Sequence, residues 1–215
     1  MTFVKKLYAM AAIAIAGVLL LAGIETYHIE RVDSAASYAS ANTVPSILEL
    51  DSVIEAVYSK RIVIWKYLAN PNPAHRQEAE KILTESSANI AKALDTYEKE
   101  DVSDATDAAM LKDLRQHIAT YDAALTKVMT LAQTDPAAAR HAMVADQAIV
   151  EAMMSALTKQ KQYNQTLGKA AAQSATSTKN QATITALTIC VLIALLVGLI
   201  LYFLLSRPAN HSGRR

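Results

Sequence analysis

Through residues 42–68 the apolar side chains fall on a seven-residue repeat: Ile47, Leu50, Ile54, Val57, Ile64 and Leu68. Alternating steps of three and four put them on one helix face, the seam of a bundle or coiled coil. The same repeat lands on Arg61 between Val57 and Ile64. A charge in a seam is costly unless it is satisfied. Arg61 therefore either snorkels out or pairs with an Asp or Glu of a neighbouring helix, or it faces a polar pocket that takes an anionic ligand.

Three more helices follow from the same pattern. Asn70-Pro71-Asn72-Pro73 stops the first, and Asn72 caps the second with Pro73 at its first position. The second helix runs from about Ala74 to Lys99 with the seam Ala79, Leu83, Ser86, Ile90, Ala93 and Tyr97. Ser103 or Asp104 caps the third, whose repeat is the cleanest: Leu111, Leu114, Ile118, Tyr121, Leu125, Val128 and Ala132. Asp135-Pro136 starts the fourth, which meets no breaker except Gly168 before Pro208. Its expected buried face is small, with Ala142, Ala145, Ile149, Ala152 and Ala156, and Met153 and Met154 alongside. Small residues let helices approach closely, inside a bundle or across a dimer. Pro45 predicts a kink or a local loosening early in the first helix.

Two runs are uncharged and apolar, residues 7–24 and 184–205, each about the length of a membrane-crossing helix. Lys5, Lys6, Arg207, Arg214 and Arg215 flank them, while all 20 acidic residues fall between them. Basic flanks at both ends predict cytoplasmic termini. The first run lacks a small-residue cleavage site, because Leu20 and Leu21 stand where small residues are wanted, so an uncleaved anchor is expected. The organisation expected is a cytoplasmic N-terminus over 1–6, a span over 7–24, an extracytoplasmic domain over 25–183, a span over 184–205 and a tail over 206–215. The fold expected is all-α, an antiparallel up-down-up-down four-helix bundle whose first and fourth helices continue into the two transmembrane helices.

Composition narrows the chemistry. Only five Gly and five Pro suit long helices, and a formal charge of +1 gives no reason to expect nucleic acid. The lone Cys190 lies in the second run, so the domain relies on packing rather than disulfides. His28, His75, His117, His141 and His211 lack metal-site spacing, and no G-x-S-x-G or phosphate-cradling loop occurs. No catalytic residue, metal or cofactor is expected, and the chain does not read as an enzyme.

The whole layout, with Asn42-x-x-Pro45-Ser46 before the repeat, Arg61, Tyr97-Glu98, Asp135-Pro136 and a second span closing on Arg207-Pro208, resembles the four-helix-bundle sensory domain of bacterial methyl-accepting chemotaxis receptors. That resemblance implies a multi-pass protein of the bacterial inner membrane, with residues 25–183 in the periplasm. It implies a homodimer built on the first and fourth helices. It also implies a small ligand near the membrane-distal end whose carboxylate is held by basic residues late in the first helix. Arg61 matches the first such position, and Lys66 falls where a partner-subunit arginine is typical. Asn70 and Ala137 depart from the family's third basic residue and its ligand-binding threonine, so the ligand expected is an organic acid or amino acid other than the usual ones. Trp65, one turn from Arg61, offers a ring face, and Arg140 offers a further anion contact or a solvated surface charge. The family continues past the second span into a HAMP linker and a signalling hairpin. Here SRPANHSGRR follows instead, which makes a split receptor or a module that heterodimerises with full-length receptors the expectation. The alternative is a structural or adaptor bundle that binds no small molecule.

Overall fold

An alanine-rich chain with few Gly and Pro can hydrogen-bond its backbone internally over long stretches, and here it does. The computed structural model describes residues 3–205, with no strand among them. The expected tail over 206–215, with Arg207 and Pro208, and residues 1–2 lie outside the described residues. The helices are α1 (Phe3–Tyr38), α2 (Val44–Ala69), α3 (Pro73–Thr96), α4 (Ala105–Thr134), α5 (Pro136–Ala145) and α6 (Gln147–Leu205). They divide between two compact units, one of residues 1–37 with 171–215 and one of residues 38–170.

In the first unit α1 and α6 each carry a stretch long and apolar enough to cross a membrane. Their large apolar side chains, such as Leu19, Leu20, Leu195 and Leu199, point outward. That pattern costs free energy in water and suits hydrocarbon surroundings. Where the two helices meet, Gly17 leaves room for Ile193, whose Cδ1 would lie 2.6 Å from a Cβ at that position.

The second unit is the antiparallel four-helix bundle, its corners formed by α2, α3, α4 and the α5–α6 pair. Local rules set its ends. Asn72 accepts from the His75 amide at 2.9 Å, Asp104 from Thr106 and Asp107, and Asp135 from Ala138. Proline occupies the first turn of α2, α3 and α5. Pro45 lacks an amide hydrogen, and the chain absorbs this as a wide π turn over Ala39–Thr43, in which Val44 bonds back to Ala39. A second π turn, Tyr97–Asp101, ends α3, with Val102 donating to the Tyr97 carbonyl at 3.0 Å.

The core follows heptads. On α4 all seven expected positions are buried, and the repeat extends one step further up to Asp107. On α2 the seam runs through Ser46, Leu50, Val53, Val57, Lys60, Ile64 and Tyr67. Leu50, Val57, Ile64 and Leu68 are buried as expected, but Ser46, Val53 and Lys60 take the interior in place of Ile47, Ile54 and Arg61, each one residue earlier. The charge inside the seam is therefore Lys60, and Arg61 lies beside it, half-buried.

The fourth corner also differs from the sequence expectation. The helix breaks at Asp146 (φ −78°, ψ 6°), which separates α5 from α6. Its buried positions are Ala139, Met143, Met153, Leu157, Gln160 and Asn164, whereas Ala145 and Ala152 are exposed and Ala142, Ile149 and Ala156 are half-buried. Met143, Met153 and Leu157 take the interior over the alanines because they remove more apolar area from water.

Gly168 is needed for close approach, since a Cβ there would sit 2.7 Å from Thr43 Oγ1 and 2.9 Å from its Cγ2. Threonine is stiff at χ1 and gives way poorly. Gly168→Ala should therefore lower stability by about 1–2 kcal/mol, although alanine is the better helix former by about 1 kcal/mol. Adding Thr43→Ala should recover most of the loss. A Gly168→Ala melting temperature at or above the parent's would contradict this packing.

Candidate functional site

Toward the far end of the bundle, where Asn70–Asn72 and Asp135 turn the chain, α2 carries Arg61, Trp65 and Lys66, and α5 carries Arg140. Arg61 leaves the α2 seam toward α6, and its Nη2 donates to Gln147 Oε1 at 2.7 Å. Gln147 in turn donates from Nε2 to Glu151 Oε1 at 3.0 Å. The other terminal nitrogen of Arg61, Nη1, and the hydroxyl of Tyr121 are buried side by side, and neither makes a hydrogen bond of good geometry to a described group. Burial pushes the Tyr121 phenol up to about 12, against the opposing charge of the Arg61 guanidinium beside it. No carboxylate oxygen of a described residue comes within 4 Å of Arg61.

The other three candidates are not all in one place. Trp65 is half-buried and packs against the core. Lys66 lies about 140° round the helix from Arg61 by helical geometry, and it is bound to Glu78 of α3 at 2.7 Å. Arg140 is on the exposed side of α5 and donates from Nη1 to the Leu68 carbonyl at 2.9 Å, so it caps the end of α2. Arg61 and Arg140 thus have neutral partners and Lys66 an ionic one.

A second cluster, at the end where the chain enters and leaves the bundle, is polar and buried. Asp107 has 0 % exposure and accepts from the Tyr97 hydroxyl at 2.6 Å, Gln160 Nε2 at 3.0 Å and the Ser103 amide at 3.0 Å. Asn164 Nδ2 donates to the Tyr97 oxygen at 2.6 Å. Burial first, then the bond to Asp107, holds the Tyr97 phenol well above the ordinary tyrosine range, so it remains a donor. Asp101 is 3 % exposed, and its Oδ2 has no partner. Burial, with the charges of Glu49, Glu100 and Asp107, raises its pKa to about 6. Asn42 ties this layer to the π turns, donating to the Asp101 carbonyl at 2.7 Å and accepting from Ser103 Oγ at 3.0 Å.

Sequence reasoning missed this layer. Gln160 and Asn164 sit at i and i+4 in line with Met153 and Leu157, which is the signal that could have found it.

The bundle thus holds buried polar groups, in a chain that also carries two helices long and apolar enough to cross a membrane. Comparison with curated proteins and with solved structures gives no match. The model of one family does match, over residues 1–179, and it describes a sensory rather than an enzymatic module. With its all-helical bundle, seam heptads and two apolar helices, the chain belongs to that family, the four helix bundle sensory modules for signal transduction.

Proposed function

We propose that this is a chemoreceptor-type sensor, anchored in the bacterial inner membrane with its bundle in the periplasm, which binds a small carboxylate-bearing ligand at Arg61 and passes the event into α6. The ligand class is an organic acid or amino acid. The observation that carries the proposal is the state of Arg61. Its guanidinium is half-buried and bonded to a neutral amide, and its other terminal nitrogen has the Tyr121 hydroxyl beside it rather than a carboxylate. A permanent ion pair of the kind an adaptor bundle would use would have put a carboxylate there. A ligand carboxylate satisfies the guanidinium in bidentate fashion, with Arg140 and the Trp65 ring close in sequence to the same turns. Lys66, engaged by Glu78, serves a ligand only from a partner protomer.

The coupling follows from which residue is displaced. Gln147 is the first residue of α6, directly after the break at Asp146. A carboxylate that takes Arg61 from Gln147 loosens the start of the helix that runs to Leu205. The ligand shifts α6 only by its differential affinity for the two states, typically about 1–3 kcal/mol. Homodimerisation is supported by the outer face of α2, where Val44 and Leu48 and, two heptads on, Tyr58 and Ile62 are exposed, with Asp51 and Glu55 between them.

The test is thermal melting of the full chain in detergent against a panel of organic acids and amino acids. A ligand at 100-fold its dissociation constant adds about 2.7 kcal/mol. Arg61→Ala should remove about 2–3 kcal/mol of that ligand's binding energy, the worth of a hydrogen bond to a charged group. A carboxylate whose affinity is unchanged by Arg61→Ala would refute the anchor. Flat melting across the panel with a stable dimer would favour the adaptor alternative.

A further inference from the structure

A second ionic pair sits on the opposite side of α2 from its exposed stripe. Lys60, 1 % exposed, occupies a seam position that a leucine or methionine would fill, and donates to Asp122 Oδ1 of α4 at 2.5 Å. Asp122 remains 39 % exposed. Both line a groove between α3 and α4 of about 290 Å³, whose apolar wall is Leu83, Leu125 and Met129. That volume lies at the small end of ligand pockets.

Burying the ammonium of Lys60 carries a desolvation cost that a pair with a partly exposed carboxylate offsets only in part. The pair's hydrogen-bonding capacity is also only partly used among the described residues. The ammonium has three donors, of which Asp122 takes one, and Asp122 Oδ2 accepts none. Glu80 at the rim is already held by Arg76 at 2.8 Å. A carboxylate in the groove would face Asp122, and an ammonium would face Lys60. A neutral group that both accepts and donates satisfies the two together.

We propose that the α3–α4 groove is a second ligand site, for a small neutral molecule with an apolar body and one hydroxyl or primary amide that accepts from Lys60 and donates to Asp122. It does not depend on Arg61, which faces Gln147 and Tyr121, and it lies away from the face on which dimerisation is proposed.

The test uses the full chain in detergent with methionine methyl groups labelled with carbon-13, titrated with benzamide and benzyl alcohol. Benzylamine and benzoate serve as charged controls of the same shape. The expected result is a saturable shift of the Met129 methyl with the neutral probes and not with the charged ones. Lys60→Met should weaken that binding by more than about tenfold, with some loss of melting temperature because Asp122 is left without its partner. Ser87→Leu, an exposed change at the groove's lip, should block binding without touching the pair. The absence of a saturable Met129 shift, an equal response to the charged probes, or binding that survives Ser87→Leu would overturn the proposal. Should Lys60→Met fail to fold, Ser87→Leu and the charged controls decide alone.

Discussion

Asp107→Ala is expected to cost about 3–5 kcal/mol, the range for breaking a buried charged network by removing one member. The carboxylate gathers three donors from three parts of the chain: the Tyr97 hydroxyl ending α3, the Ser103 amide before α4, and Gln160 Nε2 of α6. Truncation leaves the Tyr97 hydroxyl and the Gln160 amide without this acceptor in the buried interior, and the Ser103 amide without it at a half-buried position. Each then carries a desolvation penalty of about 1–3 kcal/mol that only partial relaxation can reduce. Asp107→Asn keeps the shape but turns an amide hydrogen toward donors, so it should fall between the parent and Ala. The interaction is a network, so Asp107→Ala and Gln160→Leu should cost less together than the sum of their separate effects, by about 0.5–3 kcal/mol. Chemical or thermal unfolding of the four chains measures this. Strict additivity would mean that Asp107 and Gln160 do not share the buried bond the structure gives them.

Local chemistry was readable in the sequence. Asn72, Asp104 and Asp135 cap their helices because a short polar side chain before a helix satisfies its own backbone amides, and no distant partner is needed. The α4 heptad was complete because its apolar residues sit at steps of three and four with polar neighbours on either side. On α2 both Ile54 and Val53, and both Leu68 and Tyr67, are apolar, so two overlapping seams fit the sequence. A bundle helix buries a stripe wider than two positions. Only packing chose Val53 and Lys60 over Ile54 and Arg61, while at the end of the helix Tyr67 and Leu68 are both buried. The break at Asp146 had no announcing residue, since VADQAIV holds neither Gly nor Pro.

The candidate site was partly readable for a related reason. A misplaced charge shows in a sequence, but its partner does not. Arg61 stood out, and its neutral partner Gln147 is 86 residues further along the chain. Lys66 looked like a companion until the α2–α3 turn brought Glu78 to it. Lys60 was hidden because Arg61 beside it drew the register, and its partner Asp122 lies 62 residues away. The polar layer of Tyr97, Asp107, Gln160 and Asn164 was invisible to a search for apolar repeats, although it continues those repeats with polar side chains.

The second large effect expected is on pH dependence, through Asp101. Its pKa is raised to about 6 in the folded chain by burial first and then by Glu49 of α2, Glu100 of its own turn and Asp107 of α4. From α6 the groups that share this buried layer are the neutral amides Gln160 and Asn164. A raised folded-state pKa means that the folded chain binds the proton more tightly than the unfolded chain, where an aspartate titrates near 3.9. The resulting stability is fully present below about pH 4 and is lost as pH rises through about 6, a difference of about 2–3 kcal/mol. Asp104, whose carboxylate is held down by the Tyr163 hydroxyl, works in the opposite sense and loses its contribution as the solution is acidified. The parent's profile alone therefore mixes the two. The difference between the parent and Asp101→Asn separates them, because asparagine stays neutral throughout. Asp101→Asn should match the parent near pH 4 and exceed it by about 2–3 kcal/mol at pH 7, with the gap opening between pH 4 and 6. A constant gap across that range would show that Asp101 does not hold its proton in the fold. The layer it occupies joins both π turns to α4 and α6, so this titration acts where the chain enters and leaves the bundle.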